Sequence, residues 1–418
     1  MKSDIPGFHK LSADEKLEKV KELAQLSEEE AQLLKKTGAL DMEIADRMIE
    51  NVIGTFEFPY GIATNFMINE KDYLIPMVIE EPSVVAGASK AAKLAREGGG
   101  FTTESDDPVM IGQIQLVGVP YIDAAKKKIL ENKEEIIQLA NRQDSTLVKF
   151  GGGVKDVEVR EITTPSGDML IVHLMVDVRD AMGANAVNTM AEAVSPYLEE
   201  LSGGNKGLRI ISNLAVHRKA RAKAVWKKEV IGKGAIDRII DAYNFAVGDQ
   251  FRCTTHNKGI MNGIDAVVIA TGNDFRAIES GAHSFGAYTG SYSPLTHYEK
   301  NAEGDLVGTI ELPLAVGTVG GSTRTNPIAK ISLKILGVKT AKELSEVIAA
   351  VGLAQNFAAI RALACEGIQQ GHMKLHAKNI AVIAGAEGPL IEQVAKQIIE
   401  EKNITVSRAQ EILEELKK

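Results

Sequence analysis

The sequence predicts an α/β (α+β) fold in which a small ferredoxin-like unit interrupts a larger α/β body. Three observations predict it. Residues 108–215 carry strand, helix, strand, strand, helix and strand patterns in that order, the split βαββαβ motif. The flanking segments, 1–107 and 216–367, combine apolar strand-like runs with Gly-containing loops, as an α/β body requires. From about residue 368 to 418 the chain has helices of its own and reads as a separate C-terminal appendage.

Within the insert, IGQIQLVGV at 111–119 reads as a strand, and residues 121–143 as an amphipathic helix. VKDVEVREI at 154–162 alternates as a second strand. The turn residues Pro165, Ser166, Gly167 and Asp168 lead to a third at 169–178. Residues 183–201 place Val187, Met190, Ala191, Val194, Leu198 and Leu201 on one helical face, and Gly203 and Gly204 stop that helix. LRIISNLA at 208–215 closes the unit as a strand. Residues 11–50 read as a charged helical arm with one face on the body or on a partner.

The chain has 418 residues and a net charge of −8, which argues against a general nucleic-acid binder. Two cysteines, Cys253 and Cys365, support no disulfide framework and fit a reducing, cytoplasmic setting. The first residues contain no apolar signal-peptide core. Runs such as LIPMVI at 74–79 fall far short of the roughly 18 residues of a membrane span, so no membrane is expected.

No G-x-G-x-x-G and no P-loop motif occurs. DAMGANAVNTM at 180–190 instead joins a strand to a helix through Ala181, Gly183 and Ala184. Uncovered N–H groups at that helix start would favour an anion such as a pyrophosphate. Close helix–strand packing through small residues accounts for the same pattern. In PMVIEEPSVVAGAS at 76–89 an apolar strand meets Glu80 and Glu81 at a helix start. A carboxylate there can be a general acid, or simply a helix N-terminal Glu stabilised by the dipole. TTHNKGIMNGIDAVVIATGNDFRA at 254–277 puts Lys258 in a polar, Gly-containing loop, AVVIA on a strand and Asp274 just past it. The pair could converge on a developing oxyanion or form an ordinary surface ion pair. His372 and His376 are i,i+4 in GHMKLH, but no H-E-x-x-H or third ligand accompanies them, and no metal is expected. A single poised histidine acting as an acid is the better functional reading. Neither a cysteine-nucleophile signature nor a G-x-S-x-G elbow is present.

Taken together, these segments resemble the class II 3-hydroxy-3-methylglutaryl-CoA (HMG-CoA) reductases. The motifs that carry the likeness are EEPSVVAGAS (80–89), DAMGANAVNT (180–189), HNKGIMNGIDAVVIATGND (256–274), GTVGGSTRTNP (317–327), GLAQN (352–356) and EGIQQGHMKLHAKNIA (366–381). The resemblance implies reduction of HMG-CoA to mevalonate and CoA by two reduced nicotinamides. It implies a catalytic set of Glu81, Lys258, Asp274 and His372. Lys258 would stabilise the oxyanion, Glu81 would protonate the aldehyde oxygen, Asp274 would tune both, and His372 would protonate the departing thiolate. It further implies substrate contacts at Ser83, Asn213, Arg252 and Asn356.

The resemblance also places the dinucleotide on the small domain, at Asp180, Met182, Gly183, Asn185 and Asn188. Asp144 matches the acidic residue that selects NADH, with NADPH possible, because a carboxylate accepts a ribose 2′-hydroxyl and repels a 2′-phosphate. The implied assembly is a homodimer with the active site across the interface, and often a larger assembly of dimers. Residues 368–418 would be a flap, with Gly367 and Gly371 as flexible positions before His372. Another acyl-CoA enzyme would need a nucleophilic cysteine or a metal. A non-catalytic dinucleotide- or CoA-binding regulator would lack part of the Glu/Lys/Asp/His set.

Overall fold

The structure is a computed structural model that describes residues 2–366 and 368–417; the side chains of residues 366–375, His372 among them, lie outside the described residues. The strands are β1 Tyr60–Ile68, β2 Lys71–Val78, β3 Phe101–Ser105, β4 Val109–Val117, β5 Gly153–Thr164, β6 Gly167–Asp177, β7 Asn205–Ser212, β8 Lys219–Trp226, β9 Thr296–Lys300 and β10 Leu306–Pro313. They form two sheets. The insert's sheet has the order β5-β6-β4-β7 with every pair antiparallel. Counted within the unit this is 2-3-1-4, the ferredoxin-like topology that the strand and helix order predicted. Its helices, Ile122–Glu131, Lys133–Asn141 and Ala184–Ser202, pack on one another and on the sheet. The long helix expected over 121–143 is broken at Asn132.

The second sheet has the order β2-β1-β3-β8-β10-β9 and takes strands from both sides of the insert. Only β1 and β3 run parallel. Helix Ala341–Arg361 lies against β3, β8 and β10 and against helices Pro82–Arg96 and Gln250–Ala270. It buries residues on all sides, from Leu344 and Ile348 to Phe357 and Ile360, so it shows little amphipathic bias. Where it meets the sheet, Trp226 stacks on Phe357 with ring centroids 3.9 Å apart and donates its indole N–H to the Ala91 carbonyl at 3.2 Å. Burying aromatics of this size contributes roughly 1.5–3 kcal/mol each. Ala341–Cys365 is also long and apolar enough to cross a membrane by length and composition, but 67% of its most apolar stretch is buried in this core.

The N-terminal arm is helical at Ala13–Ala24, Glu28–Lys35 and Met42–Met48, the first two opened by Ser capping boxes. Phe8, Val20 and Leu26 pack with Leu74, Ile331 and Ile335 in a small satellite core. The C-terminal helices Ile368–Ile383, Pro389–Glu400 and Val406–Leu416 share a separate core that includes Ala377, Val394, Ile398, Ala409 and Ile412.

Candidate functional site

One sequence expectation fails here. Lys258 is not in a loop, and AVVIA is not a strand: both lie in the 21-residue helix Gln250–Ala270. The physical reason is burial. Ala266, Val267, Val268 and Ala270 are all covered, and a short apolar run reads alike in a buried strand and in a helix packed all round. Lys258 projects from this helix as an exposed side chain. Asp274 follows the helix after a tight turn and caps the next one, Phe275–Gly286, accepting from the Arg276 and Ala277 N–H groups at 3.1 and 3.2 Å. The Arg276 guanidinium grips both oxygens of Asp274 at 3.1 and 3.2 Å. Burial alone would raise this carboxyl, but Arg276 and the helix N–H groups outweigh it and hold Asp274 below its ordinary value.

Asp274 opens onto a cleft of about 620 Å³. One wall is the small unit: Gln143 and Asp144, then Met182, Gly183, Asn185 and Thr189. The other is the turn Gly272–Asp274 with Arg276 and the segment Val319–Thr323, which runs into the short helix Gly321–Thr325. Gly183 opens helix Ala184–Ser202 at φ 107°, with no side chain capping the helix start. Its first-turn N–H groups are therefore available to an anion. Gly317 is required by close approach, because a Cβ there would stand 2.6 Å from the Met182 nitrogen. That approach lets Thr318 donate to the Asp180 carbonyl at 2.9 Å and lets Ala181 bridge Val319. Asn273 ties the third strand of chain into the same junction, exchanging hydrogen bonds with the Gly317 backbone at 2.7 and 3.1 Å.

Arg218 fixes the two walls together. It is buried, with burial pulling the guanidinium down to about 10, and it donates to the carbonyls of Ala181, Met182 and Val316. Arg218→Met is expected to cost about 2–4 kcal/mol, because several buried carbonyls lose their donor at once. Denaturant unfolding checks this; a variant as stable as the wild type would contradict the role.

The structure thus gathers Asp144, Met182, Gly183, Asn185 and Asp274 around one cleft. Two other residues of the expected dinucleotide set face elsewhere. Asp180 accepts from the Ala341 N–H at 2.8 Å and so starts the central helix, and Asn188 accepts from the Ile211 N–H at 2.9 Å on β7. Glu81 stands apart from the cleft as the first residue before helix Pro82–Arg96. Its Oε1 accepts from Ser83 Oγ at 3.0 Å and lies 3.3 Å from His376 Nε2. Glu80 is the more exposed of the two acids. Arg252 is half-buried, which pulls its guanidinium down, and it precedes Lys258 by six residues on the same helix. The Asn213 carbonyl rests on Gly281 of helix Phe275–Gly286.

Asn356 is placed in the core. It accepts from Thr296 and Tyr298 at 3.1 and 2.9 Å, donates to the His256 carbonyl, and is 2% exposed. In this arrangement its contacts are with the protein. Burial pushes the neighbouring Cys253 thiol up to about 11 against the opposing charge of Arg252, so it is no thiolate at neutral pH. Among the described residues no three His, Cys, Asp or Glu side chains converge on a metal position.

A family model for hydroxymethylglutaryl-coenzyme A reductase matches residues 12–377. The chain belongs to this family. It is 61% identical over 418 residues to 3-hydroxy-3-methylglutaryl-coenzyme A reductase of Archaeoglobus fulgidus, covering 100% of this chain and 95% of that one. A probable reductase of Borreliella burgdorferi is 36% identical over 80% of this chain and 77% of its own. Among solved structures, the class II reductase of Streptococcus pneumoniae bound to NADPH in open conformations superposes with a TM-score of 0.83. That pair is 42% identical, over 98% of this chain and 100% of that one.

The structure brings into the candidate site residues that sequence reasoning passed over. Arg276 and Val319–Thr323 line the cleft. The glycines of GTVGGST were a visible signal for a backbone-lined wall, and Arg276, two residues after Asp274, had none. His376 gave a partial signal as the partner of His372 in the i,i+4 pair, and its contact with Glu81 crosses 295 residues of chain.

Proposed function

We propose that this chain reduces HMG-CoA to mevalonate and CoA with two reduced nicotinamide dinucleotides, or runs the reverse reaction. The observation that carries the reading is the cleft in which Asp274 meets the uncapped helix start at Gly183 and the carboxylate of Asp144. The donor set fits a dinucleotide: open N–H groups for a pyrophosphate, a carboxylate at the far end for a ribose, and glycines along the facing loop. In this reading residues 108–215 hold the dinucleotide, 1–107 with 216–367 hold the substrate, and 368–418 close over it as a flap.

The bound dinucleotide supplies hydride. Lys258 places a positive charge at the thioester oxygen as that oxygen becomes an oxyanion. Asp274, kept ionised by Arg276 and its helix N–H groups, supplies the opposing charge that orients the lysine. When the C–S bond breaks, His372 gives a proton to the CoA thiolate. In the second reduction Glu81 gives a proton to the aldehyde oxygen, completing the alcohol. Ser83 and Asn213 orient the substrate and Arg252 pairs with its carboxylate, whereas the Asn356 side chain, expected as a further substrate contact, is engaged by Thr296, Tyr298 and the His256 carbonyl.

A homodimer with the site across the interface belongs to the same reading. Lys258 and Glu81 do not line the cleft that holds Asp274, and Ile49, Ile53 and Phe56 form an apolar segment 64%, 99% and 87% exposed, suited to a second copy. The free cysteines fit a cytoplasmic enzyme.

Oxidation of reduced nicotinamide by the purified chain, started by adding HMG-CoA, tests the reading; no rate above background with either cofactor would refute it. The cofactor is assigned as NADH on Asp144, whose Oδ1 also caps the short helix Ser145–Lys149 through the Leu147 N–H at 2.8 Å. Asp144→Ala is expected to relax the preference for NADH, and an added neighbouring Arg to move it toward NADPH. Comparing kcat/KM for the two cofactors checks this. A wild type that prefers NADPH would overturn the assignment.

A further inference from the structure

The charged side chains among the described residues that line the 620 Å³ cleft are Asp144, Asp274 and Arg276. Two are carboxylates, and the one cation is already engaged. The Arg276 Nε and Nη2 donate to the two oxygens of Asp274 at 3.1 and 3.2 Å. While that pairing lasts, a ligand with two phosphates meets walls whose full charges are net negative. The uncapped start of helix Ala184–Ser202 offers N–H groups and a partial positive charge, but no cation.

The pairing is easy to give up. The side chains of Arg276 and Asp274 are 77% and 40% exposed, and an ion pair in contact with water contributes little, because both partners regain hydration when it opens. A phosphate is the better acceptor for the planar guanidinium fork, which it can take in two parallel charge-assisted hydrogen bonds. Asp274 does not need the guanidinium to stay in place. The backbone N–H groups of Arg276 and Ala277 hold the same carboxylate at 3.1 and 3.2 Å. Nor does the helix need it: Ala277, Ile278 and Ala282 seat Phe275–Gly286 in the core, so the arginine side chain can swing while its backbone stays fixed.

We propose that Arg276 is the phosphate ligand of this cleft, and that it reaches the phosphates of the dinucleotide by releasing Asp274. The proposal rests on the dinucleotide reading of the cleft. One guanidinium fork serves two anions, one at a time. When the phosphates take it, the outer face of the Asp274 carboxylate is freed for the role given to it beside Lys258, while the helix N–H groups keep it placed. Cofactor binding and release of the catalytic carboxylate are then one coupled event.

The test reads binding rather than turnover. NADH is titrated into the full chain without HMG-CoA and followed by its fluorescence, and ADP-ribose, which keeps the pyrophosphate but lacks the nicotinamide, is measured by competition. Arg276→Gln is expected to weaken both ligands about tenfold. Arg276→Lys, which keeps the charge without the fork, should recover part of the loss. Asp274→Asn is expected to tighten both ligands about fivefold, partly because a negative charge is gone and partly because Arg276 is set free. In the Arg276→Gln background only the first part remains, so the gain should shrink to about twofold. An unchanged affinity in Arg276→Gln, a loss confined to NADH, or equal gains from Asp274→Asn in the two backgrounds would each overturn the proposal and leave the cofactor reading standing. A wild type that binds neither ligand would remove that reading and the proposal together.

Discussion

Lys258→Ala is expected to lose about 10²–10³-fold or more in kcat with HMG-CoA, while substrate binding weakens far less. The argument is electrostatic. On the proposed reaction, hydride attack on the thioester builds a full negative charge on oxygen, and the same happens again at the aldehyde. In the role proposed for Lys258 a single ammonium serves both steps, so its loss is expected to slow both. The structure adds that Lys258 stands on a rigid helix with Ile260, Ile264 and Val267 locked in the core, so the truncation should not disturb the fold. Steady-state kinetics with HMG-CoA and with free mevaldehyde check this. Turnover near wild type with either substrate would refute the assignment.

The second large effect separates the two reductions. His372→Gln is expected to lose about 10²-fold or more with HMG-CoA, because a thiolate must then leave without its acid. It should keep substantial activity with mevaldehyde, measured with CoA present so that the flap can close, because nothing is expelled in that step. Glu81→Gln is expected to impair both, since the aldehyde oxygen loses its donor. His376, 3.3 Å from Glu81, provides the internal comparison. A histidine that supports Glu81 affects the aldehyde step, whereas one that serves the thiolate does not. Equal loss of both activities in His372→Gln would show that this residue acts in closing the flap rather than in moving a proton.

The parts of the fold that were legible in the sequence are those where period and punctuation agree. The insert shows this: β5 alternates, a turn at Pro165 and Ser166 joins it to the more continuously apolar β6, and β6 leads to a helix whose apolar face returns every third or fourth residue. The helix Gln250–Ala270 was misread because its stretch HNKG resembles a loop and its apolar end resembles a strand. Its helicity is set by tertiary burial against helix Ala341–Arg361 and β2, which local pattern does not carry. The site divides the same way. Gly183 announces itself as a small-residue helix start, whereas Asp274 was placed only as the residue just past an expected strand and its helix-capping role appears in the folded chain. Asp180 and Asn188 stand in the same motif, yet their side chains bind the backbone of other elements, a fact visible only once those elements are packed.

The claim that one site performs a four-electron reduction is tested most directly by stoichiometry. Oxidation of reduced nicotinamide and release of CoA thiol are followed together in one reaction with limiting HMG-CoA. The expected result is two cofactor molecules oxidised for each thiol released, with mevalonate as the product. One cofactor per thiol with free aldehyde accumulating, or thiol release without cofactor oxidation, would contradict it.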